Sequence, residues 1–249
     1  MEPAHSPSVV ITRVAERQWQ AVADDQVIGR GDASPRPDGR IFVSIDSWHG
    51  AAFDALADAM LASLPMPLYT VVDEIDHELT ANWTRVGFAT RRREVEYLVA
   101  TAPDSGAPDV TILPAGAAEE SLIRGLYNKI RAEVDWESMP AEVIQAPHEP
   151  SKYAVATESG EYVGLVRAVA RRRHARIGLI AVRAGLRRRG IARALLAHTL
   201  DSLHRNGIDT ATAEVDESNA AAIALFEGFG AQRASSNLEL VLHDRAKGR

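Results

Sequence analysis

The residues in this chain most able to do chemistry are Arg187, Gly190 and Ala192, in the run Val182-Arg-Ala-Gly-Leu-Arg-Arg-Arg-Gly-Ile-Ala-Arg-Ala-Leu-Leu196. Small residues at 190 and 192 let a ligand come close to the backbone, and three consecutive arginines surround the approach with positive charge. Main-chain N–H groups at a helix start, together with the positive end of its dipole, form an anion site whose usual occupant is phosphate. The turn is therefore expected to hold a diphosphate. It is not a P-loop, because no Gly-Lys-Ser/Thr follows, and it has only one of the three glycines of the dinucleotide fingerprint.

Such a turn works only between a strand and a helix. Ile177-Gly-Leu-Ile-Ala-Val182 is short, apolar and bounded by arginine clusters, which reads as a strand. From Ile191 the apolar positions recur at Leu195, at Thr199 or Leu200, and at Leu203, which is helical spacing. Next come a strand, Thr210-Ala-Thr-Ala-Glu-Val215, and a turn with a helix cap, Asp216-Glu-Ser-Asn219. The following helix, Ala220 to Glu227, runs into Gly228-Phe229-Gly230.

Arg187-x-x-Gly190-x-Ala192 resembles motif A of the GCN5-related N-acetyltransferases (GNAT), Arg/Gln-x-x-Gly-x-Gly/Ala. Asn219, Ala222, Leu225, Phe226 and Gly230 resemble motif B of the same family, with Phe226 where the family usually has Tyr. Arg188 stands where the family often has Gly. The two motifs occur in the family's order, and the resemblance covers about Val110 to His243.

The 249 residues suffice for one large or two small domains, each with a real core. A composition 46% apolar and 25% charged is that of an ordinary globular protein. A net charge of −6 argues against general nucleic-acid binding. No apolar run is long enough to span a membrane, and the Met-Glu-Pro-Ala-His-Ser-Pro start does not read as a signal peptide. With no cysteine there is no disulfide, thiolate nucleophile or thiolate metal site. A cytoplasmic location is the simple reading, without metal, membrane or nucleic-acid partner.

Three regions are expected. Residues 102–109, Ala102-Pro-Asp-Ser-Gly-Ala-Pro-Asp109, read as a linker. Residues 110–249 form the acetyltransferase-like domain, in the order β-α-α-β-β-β-α-β-α-β-β. Its first helix, Glu119 to Arg131, carries Leu122, Ile123, Leu126, Tyr127 and Ile130 on one face. A second short helix is expected near Ala141 to Gln145. Strands at Lys152 to Thr157 and Tyr162 to Ala170 are joined by the hairpin turn Glu158-Ser-Gly-Glu161. Residues 1–101 read as a weaker copy of the same pattern. Its strands are Arg40 to Ile45, Tyr69 to Asp73 and Glu94 to Val99, and its helices Ala51 to Leu64 and Leu79 to Val86. Gly87 falls where Gly230 does, Trp83 where Phe226 does and Asp76 where Asn219 does. The copy lacks the anion turn, since Asp46-Ser-Trp-His-Gly50 has no arginine cluster. It is read as a degenerate half serving folding, dimerisation or the acceptor pocket, with an acyl-CoA site of its own as the alternative.

The resemblance implies an α/β fold with a mixed sheet (α+β), in tandem, and transfer of an acetyl group from acetyl-CoA to a primary amine. It implies that the backbone of Ile180, Ala181 and Val182 holds the pantetheine arm. Arg187, Arg188, Arg189, Gly190, Ile191 and Ala192 would hold the diphosphate, with Asn219 and Phe226 also lining the cofactor. An amine of pKa roughly 10.4 must lose a proton before it attacks. Glu214 is the first choice of base, twelve residues before Phe226, as in the ribosomal-protein N-terminal acetyltransferases of the family. Asp216 and Glu217 are its substitutes, and a plain surface glutamate is the other reading of Glu214. Phe226 lacks the hydroxyl that protonates the leaving thiolate in the family, which leaves Tyr127, Tyr153 or a water for that role. Glu133, Asp135 and Trp136 would line the acceptor side, where acid and aromatic suit a small cationic amine of polyamine or aminoglycoside type. A non-catalytic acyl-CoA-binding regulator, a protein amine as acceptor, another acyl donor and a homodimer stay open.

Overall fold

The computed structural model describes residues 9–36, 38–48, 50–101, 110–134 and 149–244. The chain divides into two compact units, Met1–Arg93 with Ser236–Arg249, and Glu94–Ser235. The expected division into 1–101, a linker and 110–249 follows the chain; these units follow strand pairing instead. The linker 102–109 and the expected helix at 141–145 lie outside the described residues.

The first unit runs β1 (Val10–Ala15), β2 (Gln18–Ala23), β3 (Gln26–Pro35), β4 (Ile41–Ser47), α1 (Gly50–Ser63), β5 (Leu68–Asp73), α2 (His77–Arg85) and the start of β6 (Ala89–Ala100). Its sheet order is β1-β2-β3-β4-β5, closed by β12 (Gln232–Leu242), whose residues Asn237 to Leu242 pair antiparallel with Asp73 to Leu68. Helix α1 buries Phe53, Leu56 and Met60 against Trp19, Val43, Ile45 and Leu240. Gly31 on β3 makes that approach feasible, since a Cβ there would lie 2.5 Å from the Met60 sulfur. Asp76 caps α2 by accepting from Leu79 N at 2.9 Å, and Trp83 packs edge-on to Phe53 and Phe88. Strands β1 to β3 were not anticipated, although the inward alternation of Trp19, Ala21 and Ala23 is a period-two signal.

The second unit contains the rest of β6, then β7 (Thr111–Leu113), α3 (Glu120–Ala132), β8 (Tyr153–Glu158), β9 (Glu161–Arg171), β10 (His174–Val182), α4 (Ile191–Arg205), β11 (Thr210–Asp216) and α5 (Ala220–Glu227). Its sheet order is β6-β11-β10-β9-β8-β7. Leu195, Leu196 and Leu200 of α4 and Phe226 of α5 bury one face of this sheet. Ile123, Leu126 and Ile130 of α3 cover the other, over Tyr153, Val155 and Leu165. Gly164 of β9 lets α4 seat closely: a Cβ there would meet Ile191 Cγ2 and Leu195 Cδ1, each at 3.2 Å.

Two strands were expected after the last helix, and one long strand, β12, is found. The place beside β11 is filled by β6, paired antiparallel from Thr210↔Ala100 to Asp216↔Glu94. A ladder needs a free edge and a matching register, and chain order does not choose which strand supplies them.

Candidate active site

Strands β10 and β11 are parallel, but only His174↔Thr210, Ala175↔Ala211 and Arg176↔Thr212 are paired. Beyond Arg176 they part. A bulge in the β9–β10 register between Ile177 and Leu179, at Gly178, re-aims β10 as the gap opens. Arg183 N bonds Val163 O at 3.0 Å, so beyond the bulge in this antiparallel ladder the odd-numbered residues of β10 face β9. The main-chain groups of Ile180 and Val182 therefore point into the gap, while those of Ala181 belong to the β9 ladder opposite Leu165. An extended polar chain fits such an unpaired edge.

At the end of β10 a 3-10 turn, Ala184–Leu186, leads through Arg187 and Arg188 to Gly190, which starts α4. Gly190 has φ +81 and Arg188 φ +66, the latter a left-handed conformation that costs any residue with a Cβ. A glycine at this position would not bear that cost. No side chain caps α4, whereas Asp76 caps α2 and Asn219 caps α5 through Ala222 N at 3.1 Å. The first-turn N–H groups of α4, at Ile191 and Ala192, are thus left for an external acceptor at the positive helix end. A Cβ built on Gly190 meets nothing within 4 Å, so the space before this turn is open.

The arginines divide their work. Arg187 Nε donates to Val182 O at 3.3 Å, which ties the turn to the end of β10. Arg189 forms a two-pronged pair with Glu158 of β8, one prong at 3.1 Å, so its charge is already partly offset. Arg188 is exposed.

Glu133, expected on the acceptor side, instead braces the turn. Its carboxylate accepts from Ala184 N and Arg183 Nε, each at 2.6 Å. These bonds, the Ala184 amide first and Arg183 second, hold its carboxyl below the ordinary value of 4.5. A lowered folded-state pKa means stability that is present above the ordinary glutamate value and lost as pH falls through the lowered one. Glu133→Gln is accordingly expected to flatten the acid limb of the melting curve: wild type loses melting temperature below about pH 4.5, and the variant loses less. Parallel acid limbs in the two proteins would remove Glu133 from this role. Asp135 and Trp136 lie outside the described residues.

Phe226 is only 4% exposed and stacks on Tyr97, with ring centroids 6.2 Å apart. It is core as well as a motif match, and Asn219 is a helix cap. Tyr97 accepts from Arg233 Nε at 3.1 Å and donates to Glu227 at 3.3 Å. Tyr127 of α3 and Tyr153 of β8 are both buried; burial, then the neighbouring Tyr153, pushes the Tyr127 phenol up to about 12. Burial raises Tyr153 as well. Both therefore keep their protons at neutral pH and surrender them reluctantly.

Glu214 lies on β11 where the gap opens, with its side chain 34% exposed and bonded to Arg176 at 2.6 Å. Asp216 accepts from Ser218 N at 2.8 Å and Ser218 Oγ at 2.6 Å, which shapes the turn into α5. Two residues of this neighbourhood went unnoticed in the sequence: Gly178, whose signal is an isolated glycine within a strand pattern, and Glu96 of β6, which no local pattern marks.

The acetyltransferase (GNAT) family model matches residues 122–231, which contain the gap, the uncapped turn and Glu214. Residues 122–231, less than half of the chain, are thus similar to the acetyltransferase domain of that family. Over 56 residues the chain is 48% identical to the [ribosomal protein bS18]-alanine N-acetyltransferase of Escherichia coli (strain K12), and equally so to that of Salmonella typhimurium (strain LT2). That stretch is 22% of this chain and 38% of each relative, so the chain spans well under half the length of these curated relatives. Among solved structures, a GCN5-related N-acetyltransferase from Sphaerobacter thermophilus superposes with TM-score 0.70 at 18% identity, covering 93% of this chain and 82% of that one. A tandem GNAT protein from the clavulanic acid biosynthesis pathway superposes with TM-score 0.65 at 12% identity, covering 91% and 82%. At these identities the likeness is one of fold.

Proposed function

We propose that the second unit transfers an acetyl group from acetyl-CoA to a primary amine of a small cationic molecule. The observation that carries this reading is the parting of β10 and β11 directly before an uncapped helix start. An acyl-CoA needs both: a free strand edge for its amide-bearing arm and main-chain donors for its diphosphate. Ile180 and Val182 would take the arm, and Gly190, Ile191 and Ala192 the diphosphate, with Arg187 and Arg188 adding charge. Each charge-assisted bond contributes about 1.5–3 kcal/mol, and several together support micromolar affinity.

In the reaction the amine nitrogen attacks the thioester carbonyl carbon while its proton passes to the Glu214 carboxylate. The C–S bond then breaks and coenzyme A leaves. Phe226 has no proton to give, and a thiol of pKa near 8.5 departs tolerably as the anion, taking its proton from water. Glu214, held by Arg176, would face the acceptor on the sheet face that also carries α3.

The first unit supports a tandem reading. Its parallel pair β4/β5 also holds for only two rungs, Ile41↔Leu68 and Phe42↔Tyr69. Asp76 and Asn219 are both caps, Trp83 and Phe226 are both buried, and Gly87 and Gly230 both have positive φ. Without the arginine turn it is a degenerate copy.

A second reading, acetylation of a protein N-terminal amine, is favoured by the 48% identity with the ribosomal-protein acetyltransferases. One assay separates the readings: thiol release from acetyl-CoA in the presence of spermidine, an aminoglycoside or an alanine-terminated peptide. Release with spermidine or the aminoglycoside is expected, and release with the peptide alone selects the second reading. Tight acetyl-CoA binding without release on any amine makes the protein a non-catalytic acyl-CoA-binding regulator.

A further inference from the structure

Strand β6 enters the second unit at Glu94, one residue after the first unit ends. In its ladder with β11, Glu96 stands directly opposite Glu214. Residues opposite each other share a face, and Val95, Tyr97, Val99, Ala213 and Val215 all turn into the core beneath α4 and α5. Glu96 and Glu214 therefore project together from the other face. Their rung lies just past Arg176↔Thr212, the last rung joining β10 to β11, so it borders the gap assigned to the acyl donor.

Two like charges directly opposite in a ladder destabilise it. Arg176 offsets the charge of Glu214 at 2.6 Å. Glu96 has a different neighbour: Ser235 Oγ donates to it at 2.8 Å, and this donor is neutral. Among the described residues no cation is paired with Glu96. The rung thus carries one uncompensated negative charge, and it sits where an attacking amine must approach. Where a local rule is broken beside a reaction centre, the departure from stability is commonly tied to function.

We infer that Glu96 is a positioning and specificity residue for the acceptor: it holds an ammonium group against the rung while Glu214 takes the proton of the attacking nitrogen. This rests on the acetyltransferase reading and deepens it. The acceptor class it selects is a primary amine with a second cationic centre, a diamine or longer polyamine. One carboxylate then meets the charge that stays and the other the proton that leaves. The residue comes from the first half of the chain, so a site read from the second half alone is missing it.

The test uses the full chain, Glu96→Gln and Glu96→Asp, with spermidine as acceptor and butylamine as the singly charged control. Glu96→Gln is expected to raise the KM for spermidine at least tenfold, leave kcat within threefold, and leave acetyl-CoA affinity unchanged by calorimetry. Glu96→Asp restores part of the KM. Because the substitution also relieves like-charge repulsion, the unliganded variant should melt about 1–3 °C higher than wild type. A carboxylate with a purely structural role would lower the melting temperature. Unchanged KM for spermidine, an equal effect on butylamine, or a lower melting temperature overturns the inference while the acetyltransferase reading stands. Absence of acetyl-CoA binding by wild type removes that reading, and the inference with it.

Discussion

Gly190→Val is expected to reduce acetyl-CoA affinity by about 10²- to 10⁴-fold while the protein remains folded. Gly190 has φ +81, a conformation that costs a β-bearing residue about 1–2 kcal/mol. Its Cβ would enter the open space before the helix, where the protein itself offers no atom within 4 Å. The damage therefore falls on the ligand and on the direction of the Ile191 and Ala192 amides. Losing one or two charge-assisted bonds adds about 1.5–3 kcal/mol each, which brings the total into the stated range. Calorimetry with acetyl-CoA measures it, with the melting temperature of the unliganded variant as the control for folding. Thermal stabilisation by acetyl-CoA that survives the substitution would mean the diphosphate lies elsewhere.

Glu214→Gln should lower kcat by about 10²- to 10⁴-fold, the usual contribution of a positioned base, and leave acetyl-CoA affinity intact. The amide keeps the shape and a hydrogen-bond acceptor for Arg176, so the rung stays in place and only proton uptake is lost. This separates it from Glu96→Gln, where KM carries the effect and kcat does not. A variant with unchanged kcat would remove Glu214 from the chemistry and leave it a surface partner of Arg176.

Much of the second unit was legible because its signals are short in range. The cap at Asn219, the hairpin at Glu158–Glu161 and the glycine starting α4 each depend on residues within four positions of one another. The apolar periods of α3 and α4 likewise report burial without saying against what. Glu133 could not be assigned this way: its partners Arg183 and Ala184 are 50 and 51 residues on, and an acidic residue after a helix looks the same whether it meets an acceptor or a turn. Arg189, read as a phosphate ligand, meets Glu158 across 31 residues.

Residue order alone shows that a strand, an arginine-rich turn and a helix follow one another near residue 190, because propensity and spacing act along the chain. How far β10 and β11 stay paired, and that β6 rather than a further C-terminal strand lies against β11, emerges from the folded sheet. A strand's backbone donors and acceptors carry no address. Any segment of compatible register and alternation can satisfy them, and burial in the assembled sheet makes the selection. That selection set Glu96 opposite Glu214, from a half of the chain in which no motif pointed to it.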